Sequence, residues 1–462
     1  MKSTPSFDPT RRTFFRQACC AAVGATGMLS TLAQLRLIGA MAADAAPGGY
    51  KALVCLFLQG GNDTNNVTIP TDTADYNAYA AARTILAVPQ AQVLPISPLT
   101  YSDGRSWGLH PSLPEVQSLF AQRKLAILAN VGTLVQPTTL SAYNAGTNLP
   151  PQLFSHIDQQ TQWQSSVPDQ PFTTGWGGRL ADLVNAMNVN NQISMSISLA
   201  GNNSFQVGNS VSQYVVSPTG AVVLNGSTSG PNSQAGIRYR AQTDLLSIQE
   251  ASLFQTAFAG ITSNSISDSQ VLNTALANAA TLQTVFPATT IGGQLNMIAR
   301  LISAGPALGL QRQVFFAQLG GWDLHASQVA DHGPLLAEIS AALNAFYAAT
   351  VELGVANQVT TFTASDFSRT LNTNGTGSDH GWGAQSLIMG GAVNGGDIYG
   401  HMPSLVIGGP DDTGRGRWIP STSVDEYAAT LAAWFGVSAA NLATVLPNIG
   451  RFAQPNLGFM GS

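Results

Sequence analysis

Charged residues are scarce in this sequence of 462 residues: Asp, Glu, Lys and Arg together make up 9%, where a globular protein usually has about 25%. The 19 basic residues are outnumbered by 24 acidic ones, which gives a net charge of −5. The basic surface that binds nucleic acid is therefore missing, and we expect neither DNA nor RNA as a partner. Because 44% of the residues are apolar, the chain can still bury a substantial core, which excludes disorder as its main state.

Cysteines and long apolar runs are also few. Of the three cysteines, Cys19, Cys20 and Cys55, only Cys55 lies beyond residue 45, so no intramolecular disulfide is expected in the rest of the chain. Cys55 stands inside an apolar stretch, which favours a small buried hydrophobe over a nucleophile. Beyond residue 45 no unbroken apolar run reaches the ~18 residues of a membrane-spanning helix. We therefore expect no transmembrane anchor in the mature protein.

The first 45 residues have the pattern of an export signal. The pair Arg11 and Arg12 precedes an uncharged stretch at 17–35, and small residues follow at 40–45, as a signal-peptidase site requires. The pattern resembles a twin-arginine (Tat) signal peptide; a basic amphipathic helix and a weak membrane anchor are the alternatives. The resemblance implies the Tat export machinery as a partner and a periplasmic or extracellular location, reached in the folded state. Removing residues 1–45 takes away five basic and two acidic residues, so the net charge changes from −5 to −8.

Strand and helix patterns alternate through residues 46–462. The longest helical pattern, at 326–353, has apolar residues at spacings of three and four. This alternation predicts an α/β sandwich with a mainly parallel sheet. We interpret 46–462 as a single domain that carries a small β and helical insertion at about 185–303. Apolar runs typical of buried strands lie at 51–58, 125–130, 314–319, 359–364, 386–389 and 404–407.

Aspartate and histidine side chains gather where predicted strands end. Since the carboxyl ends of parallel strands open into a common crevice, these side chains are expected to converge. Carboxylate oxygen together with imidazole nitrogen suits Zn²⁺, Mn²⁺ or Fe ions better than Ca²⁺. So many ligands would suit two divalent ions, or one ion beside an acid/base pair. Each cluster alone could also be a turn or a helix cap. The candidate metal ligands are Asp63, Asp323, His325, Asp366, Asp379 and His380.

Ser155 is a candidate of another kind, because it precedes a predicted helix. Its ordinary role there is that of an N-cap residue. The alternative is a nucleophile, or a hydroxyl at an anion site, activated by a metal and not by a base. The sequence contains no Gly-x-Ser-x-Gly motif, which disfavours an ordinary serine esterase.

Six motifs follow one another along the chain: Gly-Gly-Asn-Asp at 60–63, Leu-His-Pro-Ser-Leu at 109–113, Ser-His at 155–156, Gly-Gly-Trp-Asp-Leu-His at 320–325, Ser-Asp-Phe-Ser-Arg at 365–369 and Asp-His-Gly at 379–381. Taken together, they resemble the motifs of the exported bacterial domain-of-unknown-function 1501 family. That family is similar to the alkaline phosphatase and sulfatase superfamily. The resemblance implies an alkaline phosphatase-like three-layer α/β/α sandwich, with metals at the strand ends and a Ser, Thr or modified Cys nucleophile.

The resemblance also implies roles for individual residues. Asp63 matches the first-strand metal ligand of the superfamily, Asp323 with His325 matches its second metal-binding pair, and Ser155 falls where the nucleophile would stand. This chain departs from the pattern in having Asp-x-His where the superfamily has Asp-x-x-x-His. It also has Trp382 where family members often have a histidine. Either departure could mean one metal fewer, or a site that binds without turnover.

The leading hypothesis is therefore a periplasmic or secreted metal-dependent hydrolase of phosphate or sulfate esters, acting on a small or polymeric substrate. In it, one or two divalent ions hold the site, Ser155 attacks phosphorus or sulfur, and Arg369 pairs with the anion. The alternative is a non-catalytic envelope or extracellular protein that uses the same fold for binding. It is motivated by the low charge and by the Asn- and Ser-rich stretch at 185–232. A Tat-exported redox enzyme is a third possibility, without a matching cofactor motif.

Overall fold

The computed structural model describes residues 49–189, 193–248 and 252–461. The predicted signal peptide at 1–45 lies outside the described residues, and so do Cys19 and Cys20. Cys55 is a free cysteine with 2% exposure. This confirms that Cys55 is a buried hydrophobe.

A ten-stranded sheet forms the centre of the described structure. The strands are β1 (Lys51–Leu58), β2 (Thr68–Pro70), β3 (Leu94–Ile96), β4 (Trp107–Leu109), β5 (Leu125–Gly132), β6 (Ser196–Ser198), β7 (Tyr214–Ser217), β8 (Gly220–Ala221), β9 (Arg312–Leu319), β10 (Val359–Ser365), β11 (Arg369–Thr373), β12 (Ser378–His380), β13 (Ala384–Gly390), β14 (Ile398–Gly400) and β15 (Thr422–Ser423). The order of the central sheet is β14-β5-β13-β10-β1-β9-β6-β7-β8, with β15 beside β5. In one small sheet β11 pairs with β12, and in another β4 lies between β2 and β3.

Helices pack against this sheet in two groups. The helices are α1 (Thr73–Arg83), α2 (Pro114–Ala121), α3 (Leu140–Asn144), α4 (His156–Ser165), α5 (Trp176–Val184), α6 (Gln234–Leu246), α7 (Leu253–Ala277), α8 (Thr290–Ala304), α9 (Gln328–Glu352), α10 (Val424–Phe435) and α11 (Leu442–Val445). In one group α9 packs against α2 and α8, and α2 contacts β5 while α8 contacts β9. The other group contains α4, α5, α10 and α11 and contacts β1, β5, β9 and β10. Short 3₁₀ turns lie at Thr64–Asn66, Thr84–Leu86, Gln90–Gln92, Asn185–Met187, Ala356–Gln358, Ala439–Asn441 and Ile449–Arg451.

The predicted α/β sandwich is thus confirmed. β1 pairs in parallel with both β9 and β10, so it lies in the interior of the sheet. Every residue of β1 from Ala52 to Leu58 is buried, because helices cover the sheet around it. Burial on both faces explains why this strand is a continuous apolar run and does not alternate.

Two predicted strands differ from the structure. The run at 386–389 does form a strand, β13, but it pairs antiparallel with its neighbours β5 and β10. The run at 404–407 is not a strand. Here Leu405 has a φ of +58°, and carboxylates bond the backbone, since Ser404 N donates to Asp411 Oδ2 at 3.1 Å and Gly408 N to Asp412 Oδ2 at 2.9 Å. These bonds replace the strand pairing that the apolar pattern suggested.

The segment predicted as an insertion, 185–303, contributes to the core at both of its ends. β6 pairs in parallel with β9 in the central sheet, and α8 has a largely buried face that packs on β9. The elements between them are β7, β8 and the more exposed helices α6 and α7. A single domain with an insertion at about 185–303 stays a prediction.

Among the described residues, one helix, α9, is long and apolar enough to cross a membrane. In the structure it is packed against α2 and α8, and 50% of its most apolar window is buried. Its buried positions include Leu336, Ile339, Leu343 and Phe346, which are the apolar positions of the predicted helical pattern. The apolar composition is that of a core helix.

The carboxyl ends of three adjacent strands meet at one edge of the sheet. Leu58, at the end of β1, stands in register with Leu319 of β9 on one side and with Ser365 of β10 on the other. The turns that follow these strands therefore leave the sheet side by side. This edge is where the predicted site residues are brought together.

Candidate metal centre

Three side chains turn ligand atoms towards one point above this edge. His156, Asp323 and His380 each offer one ligand atom, and these atoms lie within 4.8 Å of one another. His156 Nε2 is 3.4 Å from Asp323 Oδ2, and His380 Nε2 is 3.4 Å from Asp323 Oδ1. Asp323 follows β9, His156 begins α4 and His380 ends β12, so three separate segments build the centre.

His325 adds a fourth donor to this group. Its Nε2 is 2.8 Å from His380 Nε2 and 3.1 Å from Asp323 Oδ1. The side chains of Asp323 and His325 are 46% and 44% exposed, so the centre is open to solvent on this side. We call His156, Asp323, His325 and His380 the metal centre.

The opposite nitrogen of each imidazole is held by an acceptor behind it. His156 Nδ1 lies 2.7 Å from Asp366 Oδ2, His325 Nδ1 lies 3.2 Å from Asp379 Oδ1, and His380 Nδ1 lies 2.6 Å from the carbonyl oxygen of Phe154. Because carboxylates and carbonyls only accept, each Nδ1 carries the proton in these contacts. Each Nε2 therefore points its lone pair into the centre, which is the arrangement of metal-binding histidines in proteins.

This donor set fits a transition-metal ion. Three imidazole nitrogens and one carboxylate are the ligands that Zn²⁺ and similar ions prefer. His156 Nε2 is buried and has no hydrogen-bond partner within the described structure. Two Nε2 atoms at 2.8 Å would repel if both presented lone pairs to each other, and a cation between the donors removes that conflict. The residues thus fit a metal ion, and at His156 Nε2 no hydrogen bond within the described structure takes the place of that ion.

The electrostatics of the centre also suit cation binding. Burial by itself would raise the pKa of Asp323. The hydrogen bond from Arg369 and the positive charge of its guanidinium outweigh this effect, and the pKa of Asp323 lies below its ordinary value. Burial lowers the pKa of His380, which keeps its imidazole neutral at pH 7 and able to bind a metal. The hydrogen bond to Asp366 raises the pKa of His156, so protons compete with a metal more strongly at His156 than at His380.

The structure places two of the predicted metal ligands behind the histidines. Asp366 is fully buried, and its Oδ1 accepts from Gly60 N at 3.1 Å while its Oδ2 accepts from Gln160 Nε2 at 2.8 Å and faces His156. Asp379 holds His325 with one oxygen and forms an ion pair with Arg415 through the other. With both oxygens engaged, these carboxylates are placed to orient the histidines, and direct metal binding by Asp366 or Asp379 stays a prediction.

Asp63 lies below the centre and outside the group of converging donors. Its fully buried carboxylate forms an ion pair with Arg83 and accepts from the side-chain amide of Gln328. A hydrogen-bonded chain then leads to the centre, because Gln328 Oε1 accepts from Ser378 Oγ at 2.6 Å and Ser378 contacts Arg369. Direct metal binding by Asp63 stays a prediction.

Arg369 supports Asp323 from below. Its guanidinium is fully buried, and Nη1 donates to Asp323 Oδ1 at 3.0 Å and to the carbonyl of Gly60 at 3.1 Å, while Nε donates to the carbonyl of Ser378. A side chain without exposed surface has no open edge for a substrate. In the structure Arg369 positions Asp323, and its predicted contact with an anion stays a prediction.

The region that carries these motifs matches a known family. Residues 50–408 match the family model described as "Protein of unknown function (DUF1501)". The chain belongs to this DUF1501 family. No curated protein sequence matches the chain. The predicted resemblance to the family is thereby confirmed.

Solved structures similar to this DUF1501 chain include a sulfatase and a phosphonate monoester hydrolase. Ps i-CgsB in complex with k-i-k-neocarrahexaose is 9% identical, with a TM-score of 0.35 and coverage of 88% of this chain and 78% of that chain. PsFucS1 sulfatase from Pseudoalteromonas sp. is 11% identical, with a TM-score of 0.35 and coverage of 92% and 74%. The phosphonate monoester hydrolase SpPMH from Silicibacter pomeroyi is 7% identical, with a TM-score of 0.34 and coverage of 84% and 74%.

Ser155 stands directly before the first residue of α4 and beside the centre. It occupies the N-cap position, but its side chain makes no cap bond to the helix backbone. Instead Ser155 Oγ donates to Asp158 Oδ2 at 2.5 Å. The hydroxyl thus has a carboxylate as its hydrogen-bond acceptor, a partner that was not expected from the sequence.

His156 is a candidate ligand that was not predicted from the sequence. It follows a helix cap and not a strand end, whereas the predicted ligands follow strand ends. Two signals were available. The chain has only six histidines, and this one stands next to the candidate Ser155. In this DUF1501 member, the Ser-His motif places a candidate metal ligand at the start of α4.

Proposed function

We propose that this protein is an exported, metal-dependent hydrolase of phosphate or sulfate esters. The observation that carries the proposal is the convergence of His156, Asp323 and His380, whose ligand atoms lie within 4.8 Å of one another. His325 Nε2 lies beside His380 and Asp323, and the Nδ1 atom of each of the three histidines faces an acceptor. Such pre-oriented ligands are the feature that distinguishes a metal site from a chance cluster of polar side chains. Export by the Tat pathway, to the periplasm or the exterior, is supported by the pattern of residues 1–45.

One divalent ion would be held by His156, Asp323, His325 and His380. Nitrogen-rich donors favour Zn²⁺, with Mn²⁺ and Fe as the other candidates. When bound, the ion supplies positive charge that polarises an ester oxygen and stabilises charge in the transition state. Asp366, Asp379 and the Phe154 carbonyl keep the three imidazoles turned towards that ion, and Arg369 keeps Asp323 ionised and in place.

Ser155 is the nucleophile in this proposal, and Asp158 accepts its proton. Ser155 Oγ forms a bond to phosphorus or sulfur, the bond to the leaving oxygen breaks, and the hydroxyl proton passes to Asp158 Oδ2, 2.5 Å away. The leaving oxygen takes a proton from solvent and departs as the alcohol. Water then attacks the seryl ester and releases a proton to solvent, and Asp158 returns its proton to Ser155 Oγ. One water is consumed for each ester cleaved.

The test combines metal analysis with hydrolysis. Purified mature protein is reconstituted with Zn²⁺ or Mn²⁺ and assayed on aryl phosphate and aryl sulfate esters. We expect Ser155→Ala to abolish hydrolysis while keeping the metal. Ser233→Ala is the matched control, because Ser233 caps α6 by accepting from Gly236 N and should leave activity unchanged.

Two outcomes would contradict the proposal. Less than about 0.1 equivalent of metal after reconstitution would reject the metal centre. Bound metal without turnover of any ester, and no effect of Ser155→Ala, would instead favour the non-catalytic binding protein that the sequence left open.

A further inference from the structure

The loop between Asp412 and Trp418 brings another arginine to the metal centre. We propose that Arg417 contacts the negatively charged group of the ligand, a role for which Arg369 is too deeply buried. The inference rests on the proposed function for the class of ligand, a phosphate or sulfate ester. The contact itself is argued from the geometry and the charges around Arg417.

The loop that carries Arg417 is fixed by a single carboxylate. Asp412 Oδ1 accepts from the backbone nitrogens of Gly414 at 2.7 Å, Gly416 at 2.8 Å and Arg417 at 3.1 Å. The carbonyl of Arg417 in turn accepts from Thr413 N at 3.0 Å. Because both backbone groups of Arg417 are bonded, its side chain starts from a defined position.

The guanidinium of Arg417 is attached to two residues that surround the centre. Its Nε donates to the carbonyl of His380, a metal-centre residue, at 2.8 Å. Its Cζ lies 4.9 Å from the ring centroid of Phe154, the residue whose carbonyl holds His380 Nδ1 and which directly precedes Ser155. One face and one edge of the guanidinium are therefore used to place it beside the proposed nucleophile and a metal ligand.

The two terminal nitrogens remain for a ligand. A guanidinium has five N–H donors, and Nε is the donor that bonds to the described protein. Paired terminal nitrogens match the spacing of two oxygens on a phosphate or sulfate group, which is why arginine binds such groups in a bidentate manner.

Arg417 also differs from the other arginines around the centre in that no carboxylate of the described structure neutralises its charge. Arg83 is paired with Asp63, Arg369 with Asp323 and Arg415 with Asp379. Within the described part of the chain, Arg417 has no carboxylate oxygen within 4.0 Å of its nitrogens. An unneutralised cation beside a metal ion attracts an anion, and in a chain with 9% charged residues few side chains can do so.

Two substitutions distinguish the proposed anion contact from a purely structural role, in which Arg417 only holds the carbonyl of His380. Arg417→Lys keeps the positive charge but loses the paired donors and the Nε bond to His380. Arg417→Met keeps most of the side-chain length beside Phe154 and loses the charge. If the role were only to hold the His380 carbonyl, both variants would lose metal, and neither would change anion binding at saturating metal.

The experiment measures binding of inorganic phosphate and inorganic sulfate to Zn²⁺-loaded full-length mature protein by calorimetry. We expect Arg417→Met to weaken the anion affinity about tenfold or more, the loss typical of a charged hydrogen bond, and Arg417→Lys to weaken it less. Zinc content should stay the same in both. Arg451→Met is the matched control, because Arg451 is exposed and paired with Asp169, and its anion affinity should stay within about twofold of the unsubstituted protein.

An anion affinity of Arg417→Met within about twofold of the unsubstituted protein would overturn the inference. So would the absence of anion binding by the unsubstituted zinc-loaded protein. If Arg417→Met failed to fold, Arg417→Lys would decide, since unchanged affinity in that variant for both anions would exclude a bidentate contact. Arg417-dependent anion binding without ester turnover would leave this inference standing and reject the proposed hydrolase, whereas turnover with Arg417-independent anion binding would do the reverse.

Discussion

Asp366→Asn is the substitution that most directly probes the metal centre without removing a ligand. Asp366 is fully buried, and its Oδ2 faces His156 Nδ1 at 2.7 Å. An amide at this position can turn its oxygen to only one side. If the amide nitrogen faces His156, the imidazole must accept at Nδ1 and carry its proton on Nε2, where the metal should bind. If the oxygen faces His156, the amide nitrogen meets the N–H of Gly60, which now donates to Asp366 Oδ1 at 3.1 Å.

Either orientation weakens the centre. Loss of the carboxylate partner of a metal-binding histidine typically lowers metal affinity about 10- to 100-fold, which corresponds to about 1.4 to 2.7 kcal/mol of binding free energy. We expect the upper part of this range, because the buried site gives water no room to replace the carboxylate. Asp379→Asn should lower the affinity less, since His325 is 44% exposed and water can accept from its Nδ1.

The assay is Zn²⁺ affinity, measured by competition with a chromophoric chelator, with the thermal midpoint of the metal-free protein recorded beside it. The midpoint separates a loss of metal affinity from a loss of folding. Asp244→Asn, an exposed position on α6, is the control and should bind Zn²⁺ as the unsubstituted protein does. A folded Asp366→Asn protein that binds Zn²⁺ within about twofold of the unsubstituted protein would refute the assignment of His156 as a ligand oriented by Asp366.

Two further predictions concern stability. Arg83→Met leaves the fully buried Asp63 carboxylate without its cation and should lower the free energy of unfolding by about 3–5 kcal/mol; urea unfolding checks this, and recovery is expected when Asp63→Asn is added. Burial raises the pKa of Asp425 from 3.8 to about 7, so the folded state keeps a proton that the unfolded chain releases. The stability contribution of Asp425 is therefore complete below about pH 4 and decreases as the pH rises to about 7. Asp425→Asn should lose less stability between pH 5 and pH 8, and parallel urea midpoints for the two proteins would contradict this.

Much of the fold could be predicted because burial imposes a pattern on the sequence. β1 is an apolar run since both of its faces are covered, and α9 repeats its apolar residues at helical spacing since one side packs on other helices. The direction of β13 leaves no such trace, because the same apolar residues serve a parallel or an antiparallel strand. The strand predicted at 404–407 is wrong for a related reason. The backbone there bonds to the carboxylates of Asp411 and Asp412 and not to a neighbouring strand, and the apolar pattern carries no sign of this.

Part of the metal centre could be predicted from the sequence because charged residues are scarce. In a chain with so few charges, Asp323, His325 and His380 are conspicuous, and the strand ends place them near one another. The remaining roles depend on contacts between residues far apart in the chain, such as His156 with Asp366, 210 positions away. Asp366 and Asp379 were predicted to bind metal. In the structure their carboxylates contact His156 and His325 and pair with other groups of the protein.

The sequence by itself determined the kind of molecule: an α/β sandwich, a DUF1501 chain, and a set of Asp and His residues rich enough for a metal site. Only the tertiary structure decided which of those residues face the centre and which stand behind it. It also buried Arg369 and left Arg417 beside Phe154 and His380. The physical reason is that residue type fixes what a side chain can donate, accept or ligate, whereas burial and the nearest partner decide which of these it does.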